Sequence, residues 1–84
     1  MPQVQFHEDV RYTPTSDEWK EHVYTYTYFY DRAKKIVTLK TVVEFDDTRS
    51  GTRDKISEEV VEIDRESLPD DASKKLKALI SDKQ

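Results

Sequence analysis

Hydrophobic and polar residues alternate along four segments of the chain, and a period of two is typical of β-strands. The pattern predicts strands at 4–12, 22–30, 36–46 and 55–64. In the last of these segments the alternation slips by one position, because Ile56 and Val60 are in one phase while Val61 and Ile63 are in the other. A bulge near Glu58–Glu59 would produce this slip, since a bulge inserts one extra residue into a strand.

The first predicted strand has an apolar face that is interrupted. Its apolar positions are Val4, Phe6, Val10 and Tyr12. Glu8 breaks this face, so we expect either an edge strand or a turn that divides the segment. The residues that follow, "TPTSDEW" at 13–19, suit either a short helical turn capped by a hydroxyl group or an irregular connection.

Four tyrosines share one face of the second predicted strand: Tyr24, Tyr26, Tyr28 and Tyr30. Their direction depends on the next loop, because a slip of one residue moves every side chain to the other face. With a loop at 32–34 the tyrosines lie opposite both polar and apolar residues of the third strand, Ile36, Thr38, Lys40 and Val42, and their face would be exposed. With a loop at 32–35, Asp31 pairs with Ile36 and the tyrosines lie beside largely apolar positions. We predict the second register and a core role, and the alternatives are an exposed aromatic platform or a dimer face.

The segment "SLPDDASKKLKALISDK" at 67–83 predicts the helix of the chain. It contains an apolar stripe with helical spacing, formed by Ala72, Leu76, Leu79 and Ile80. Pro69 suits the first turn, where a missing N–H costs nothing. Together the elements predict one α+β domain over residues 1–84, with a four-stranded antiparallel β-meander and a C-terminal helix packed on one face.

Composition restricts the class of protein. The chain has 84 residues, of which 35% are hydrophobic and 38% are charged, so it can form one small core. The absence of cysteine excludes disulfides and cysteine zinc sites. No apolar run approaches the roughly 18 residues of a membrane span, and the N-terminus lacks the apolar region of a signal peptide. We therefore expect no membrane association and a cytoplasmic location.

Few residues suggest catalysis or metal binding. One glycine excludes a glycine-rich phosphate loop, and no nucleophile motif occurs. A metal site would need His7 and His22 to converge with a carboxylate such as Glu44, and two solvated histidines are the simpler expectation. The carboxylate pairs are expected on solvated surfaces. We predict no catalytic residues, no metal, no cofactor and no enzymatic activity.

The charges are unevenly distributed within a net charge of −4. Basic residues group at 32–35 and again at 49–55, and a meander places these two loops at opposite ends of the sheet. Nucleic-acid binding is therefore not favoured, because it needs one continuous basic surface.

Residues 56–71 contain seven acids and one base. Alternate residues on one strand face lie ~7 Å apart, which is comparable to the spacing of successive phosphates along a nucleic-acid strand. The predicted contacts to a partner are the acids Glu58, Glu59, Glu62, Asp64 and Glu66. Phe29 is predicted as an apolar anchor, because it forms a small patch with Val23 and Val42 on the face opposite the tyrosines.

These features predict a non-catalytic protein-binding module that covers a basic surface of a larger nucleic-acid-processing protein. In size and charge the chain is similar to small acidic inhibitors from phages, such as anti-restriction and anti-CRISPR proteins. That resemblance implies a viral inhibitor that mimics nucleic acid, and it assigns no individual residue. One alternative is a small nucleic-acid-binding domain that uses the basic loops and the tyrosines. Another is a structural homodimer assembled through an edge strand or the apolar patch.

Overall fold

The computed structural model describes residues 3–81. Its elements in chain order are β1 (Gln3–Pro14), β2 (Lys20–Asp31), β3 (Ile36–Asp47), β4 (Thr52–Ile63), a 3₁₀ turn (Arg65–Ser67) and α1 (Asp70–Ser81). The strands form one antiparallel sheet in the order β1-β2-β3-β4. The predicted α+β meander with a C-terminal helix is therefore confirmed. Residues 82 and 83, which the predicted helix includes, lie outside the described residues.

The β2–β3 hairpin has the register that the sequence favours. Asp31 lies opposite Ile36, Tyr30 opposite Val37 and Tyr24 opposite Val43. The tyrosines consequently point to the face that carries α1, and we call the other face of the sheet the outer face. This register puts the apolar residues of β3 beside the tyrosines, as the separation of apolar and polar positions predicts.

The helix covers only part of the tyrosine face. Tyr28 and Tyr30 are 7% and 5% exposed and form a core cluster with residues of α1 and the segment before it. The other members of this cluster are Val37, Leu68, Ala72 and Leu76. Tyr26 is half-buried at the margin of the core, and its ring stacks on Tyr24 with centroids 6.4 Å apart. The predicted core role is thus confirmed for Tyr28 and Tyr30, whereas Tyr24 lies beyond the core.

A bulge in β1 changes the predicted faces of this strand. Val4 lies opposite Tyr30 but His7 lies opposite Tyr28, so Phe6 is the extra residue. The prediction that Val4, Phe6, Val10 and Tyr12 share one face is therefore wrong, because the bulge reverses the phase. Phe6 packs against the core, whereas Val10 and Tyr12 are exposed on the outer face. The expected edge position of the strand is confirmed.

The bulge in β4 lies earlier than predicted. Val43 pairs with Ser57 and Glu44 pairs with Lys55, so Ile56 is the extra residue rather than one at Glu58–Glu59. Because the bulge shifts the phase, Lys55 and Glu58 share the outer face although they are three positions apart.

The turns that join β2 to β3 and β3 to β4 share the same hydrogen-bond pattern. Asp31 Oδ1 accepts hydrogen bonds from the N–H groups of Ala33 (2.9 Å) and Lys34 (3.1 Å), and Asp47 Oδ1 accepts them from Arg49 and Ser50 in the same way (3.1 and 3.4 Å). Each turn ends in a residue with a left-handed backbone conformation. That residue is Lys35 in the first turn, with φ of 60°, and Gly51 in the second, with φ of 72°.

The two turns predict opposite effects of exchanging these residues. Lys35→Gly should raise the free energy of unfolding by about 0.5–1 kcal/mol, because left-handed backbone is costly for a side chain and the flexibility of glycine offsets only part of that cost. Gly51→Ala should lower it by about 1 kcal/mol. No atom lies within 4 Å of a Cβ at Gly51, so the cost is conformational. Urea unfolding measures the change in the free energy of unfolding for both variants. A change in the same direction in both would contradict the prediction.

The connection between β1 and β2 is an irregular turn rather than a helical one. The hydroxyl oxygen of Thr15 accepts a hydrogen bond from the Asp17 N–H at 3.1 Å, and Asp17 Oδ1 accepts one from the Trp19 N–H at 3.0 Å. The Trp19 carbonyl accepts the Thr48 N–H at 2.8 Å, and the Arg49 guanidinium lies 5.2 Å from the Trp19 ring centroid. These contacts join the first and third turns at the end of the sheet remote from the core.

The helix begins one residue later than the position of Pro69 suggests. The Ser73 N–H donates to the Pro69 carbonyl at 2.8 Å, so Pro69 stands immediately before the helix and accepts its first hydrogen bond. The predicted apolar stripe is confirmed, since Ala72 and Leu76 are buried and Leu79 and Ile80 pack against the same cluster.

Candidate partner-binding surface

The predicted contact residues divide between two faces of β4. Glu58 and Glu62 pair with Val42 and Thr38 and therefore lie on the outer face. Phe29 also pairs with Thr38, which places it in the same cross-strand row as Glu62. Glu59 points to the opposite face. One flat surface could therefore contact Glu58, Glu62 and Phe29 together, but not Glu59.

Glu58 is held by cations of its own chain. Its carboxylate lies 2.6 Å from Lys55 Nζ and 3.3 Å from Lys40 Nζ. The hydrogen bond from Lys55, followed by that from Lys40, lowers the pKa of Glu58 below its usual value. Its charge is consequently balanced within the molecule, so Glu58 is a weaker candidate for an external cation than the sequence indicates.

Three of the predicted acids meet at the end of β4. Glu62, Asp64 and Glu66 line an open hollow with a volume of about 430 Å³, together with Lys35 and Arg65. Among residues 3–81, none of the ion pairs involves these three carboxylates. They are exposed to solvent and remain available for a cation of another molecule.

The local chain geometry fixes this arrangement. Asp64 has an extended backbone, with φ of −76° and ψ of 146°, and its carbonyl accepts the Ser67 N–H at 2.9 Å. The short 3₁₀ turn then brings Leu68 into the core, where it is buried against the tyrosines. Because Leu68 anchors the end of the turn, the polar side chains of Asp64 and Glu66 stay at the surface.

The predicted apolar patch on the outer face is only partly accessible. Val23 is completely buried, at 0% exposure, so it cannot contact a partner. Phe29 and Val42 are half-buried. The exposed apolar side chains of this face are instead Val10, Tyr12 and Val60, which lie on the two edge strands and are 42%, 57% and 59% exposed. The signal that could have identified them is their edge position.

The histidines and Glu44 do not converge. The His7 ring contacts Tyr28 with centroids 5.5 Å apart, and the His22 ring contacts Phe45 at 5.4 Å. Six positions of β2 separate His22 from Tyr28, which is about 20 Å in a strand. Glu44 lies on the outer face, whereas both histidines lie on the tyrosine face. The part of the chain that the structure describes contains no group of three metal-ligating side chains.

The basic loops lie at opposite ends of the sheet, as the meander predicts. The turn 32–35 joins β2 to β3 near the core, and the turn 48–51 joins β3 to β4 at the other end. A strand of 12 residues is about 40 Å long. The stacked pair Tyr24 and Tyr26 lies between the two ends, and the nearby cation Arg11 is bound by Asp9 at 3.0 Å.

The fold and this surface define a class of protein, a small α+β meander with an exposed acidic edge strand. Over the described range, no helix is long and apolar enough to cross a membrane. Comparison of the chain with protein-family models, with curated proteins and with solved structures found no match.

Proposed function

We propose that this protein is a non-catalytic protein-binding module that covers a basic surface of a larger protein. The contacts are the acids at the end of β4 and in the turn that follows, Glu62, Asp64 and Glu66. The observation that supports this proposal most directly is their availability, since they line one open hollow and form no ion pair with a cation among residues 3–81.

The charge of the surrounding chain supports the same proposal. Segment 62–71 has five acids and a single base, Arg65, and two of the acids, Asp70 and Asp71, lie at the N-terminal end of α1. Acidic residues attract a basic partner during encounter and exclude acidic ones. A partner that processes nucleic acid is the finer proposal, because such proteins carry basic surfaces that bind phosphates.

A catalytic role is less well supported by this geometry. General acid–base chemistry needs a carboxyl group held in an environment that shifts its pKa toward the working pH. The carboxylates of the hollow are exposed and lie in an open depression. Binding through surface charge requires no such environment.

Charge reversal tests the proposal. The double variant Glu62→Lys with Asp64→Lys should lose capture of the partner from a lysate of the source organism, because lysines would repel the basic surface. Heparin, a polyanion that competes for basic surfaces, should release the partner from the wild-type chain. Quantitative mass spectrometry of the captured proteins measures both effects.

A matched variant controls for net charge. Glu8→Lys with Glu18→Lys changes the charge by the same amount at exposed positions of β1 and the first turn. This control should keep the partner. Equal capture by the wild-type chain and by the Glu62 and Asp64 variant, with the fold intact by circular dichroism, would contradict the proposal.

A further inference from the structure

Strand β4 is an edge strand with no cover. Its strand neighbour is β3 alone, and every residue from Thr52 to Glu62 is exposed. An edge strand presents unpaired N–H and C=O groups along its free side, and these groups can pair with another strand. Val60 and Ile56 add exposed apolar side chains to this edge.

The charges of β4 are ordered along the strand. Its first half carries Arg53, Asp54 and Lys55, a net charge of +1, whereas its second half carries Glu58, Glu59 and Glu62, a net charge of −3. Two copies of such a strand are complementary in the antiparallel direction, because the basic half of each lies beside the acidic half of the other. Opposite charges at facing positions stabilise strand pairs, and like charges destabilise them.

The bulge at Ile56 places the basic residues of β4 on the same face of the sheet as Glu62, which this pairing requires. Facing residues in an antiparallel pair must lie on the same side of the sheet. Arg53 and Lys55 pair with Asp46 and Glu44, and Glu62 pairs with Thr38, so all three β4 residues lie on the outer face. Without the extra residue, the cations and Glu62 would alternate to opposite faces.

We propose that β4 pairs antiparallel with β4 of a second copy of this chain and forms a continuous eight-stranded sheet. In the proposed register, Lys55, which binds Glu58 of its own chain at 2.6 Å, also faces Glu62 of the second copy, and its ammonium group can donate to both carboxylates. With Ile56 skipped as the extra residue of the bulge, the same register places Ser57 opposite Val61 and Arg53 opposite Asp64, the residue that follows β4. The two-fold axis passes at Glu59, which faces its own copy and weakens the pair.

The other edge of the sheet fits this role less well. The charged residues of β1 are Glu8, Asp9 and Arg11, so an antiparallel pair of copies could bring together only Asp9 and Arg11, which already bind each other within one chain at 3.0 Å. Helix α1 also packs against β1, and the strand ends at Pro14. A proline has no N–H to donate to a neighbouring strand.

A charge swap tests the pairing in the purified full-length protein. Sedimentation velocity at low salt, over a wide range of concentration, should show a concentration-dependent species of twice the 10.0 kDa chain mass. Lys55→Glu or Glu62→Lys alone should shift the chain to monomer, because each places like charges face to face. The double variant Lys55→Glu with Glu62→Lys should restore the dimer, since the charges are again complementary.

Two further variants separate the proposed edge from other surfaces. Glu59→Gln should strengthen the dimer, because it removes the repulsion at the axis. Glu8→Lys, on the opposite edge, should leave the dimer unchanged. A wild-type chain that is monomeric throughout the concentration range would overturn the proposal. The proposal would also be overturned if the double variant Lys55→Glu with Glu62→Lys kept its circular dichroism spectrum but stayed monomeric. Dissociation of the dimer by Glu8→Lys would overturn it as well.

This proposal does not depend on the proposed function, since the purified chain alone is measured. The two uses of Glu62 exclude each other, however, because the second copy covers the acids that would contact a basic partner. Failure of the charge swap with retained partner capture would remove the dimer alone. Equal partner capture by the wild-type chain and by the Glu62 and Asp64 variant, with an intact wild-type dimer, would remove the binding proposal alone.

Discussion

Replacing Tyr28 with alanine should lower the free energy of unfolding by about 3–5 kcal/mol, the range found for buried aromatic residues. Tyr28 is 7% exposed, and its ring contacts Phe6 at 6.1 Å and His7 at 5.5 Å between centroids. Burial is the main cause that raises the pKa of its phenol, which agrees with a side chain removed from water. A domain of this size has a total stability of roughly 4–12 kcal/mol, so the loss would be a large fraction of it.

Tyr24→Ala provides the matched control for this experiment. Tyr24 lies on the same strand and the same face, four residues earlier, but outside the core cluster. We expect a loss of about 1 kcal/mol, because a half-buried side chain loses less contact and leaves no closed cavity. Urea unfolding followed by far-ultraviolet circular dichroism measures both variants. Equal losses would contradict a core in which α1 covers Tyr28 but not Tyr24.

Leu76→Ala should cost about 2–5 kcal/mol, because it removes the central side chain of the helix stripe. Leu76 is 2% exposed and packs against the cluster that contains Tyr30 and Val37. Removing its contacts should loosen α1 from the sheet and expose the two buried tyrosines. The near-ultraviolet circular dichroism of the tyrosines should therefore weaken at denaturant concentrations where the sheet signal persists.

Lys75→Ala serves as the control on the same helix. Lys75 is exposed, and substitutions at such positions usually change stability by less than about 0.5 kcal/mol. An equal effect of the two substitutions would indicate that helix propensity, rather than packing of the stripe, decides the result. A small effect of Leu76→Ala would contradict the described core.

The sequence predicts the four strands, the β2–β3 register and the helix stripe because each depends on local periodicity. The choice between two loop lengths at 32–35 is decided by sorting Val37 and Leu39 onto the tyrosine side, and the structure has this register. The helix stripe is recovered for the same reason, since α1 buries the residues that its period of 3.6 predicts.

The two bulges are harder to predict from the sequence. A bulge changes the phase of a strand without a fixed composition, so the slip in β4 indicates its presence but not its position. In β1, Val4, Phe6 and Val10 keep one alternating phase across the bulge, and the interruption at Glu8 does not show that the strand changes face at Phe6. The extent of helix cover is likewise unpredictable, because it depends on where Leu68 enters the core.

The candidate site is predicted in composition but not in geometry. The sequence identifies the acids of 58–66 as a group, yet the faces of Glu58 and Glu59 depend on the bulge. The engagement of Glu58 by Lys40 depends on the cross-strand register, which a charge count does not contain. The convergence of Glu62, Asp64 and Glu66 requires the 3₁₀ turn after β4.

The remote position of the turn that carries Trp19 gives the molecule two separate optical reporters. Trp19 is the single tryptophan of the chain and lies beside Arg49 at one end of the sheet. The buried tyrosines lie at the other end, under the helix. Fluorescence of the indole therefore follows the opening of the uncovered end, whereas tyrosine dichroism follows the release of the helix. A cooperative chain unfolds with coincident curves by both probes, and a chain whose uncovered end frays first shows the fluorescence change at lower urea concentration.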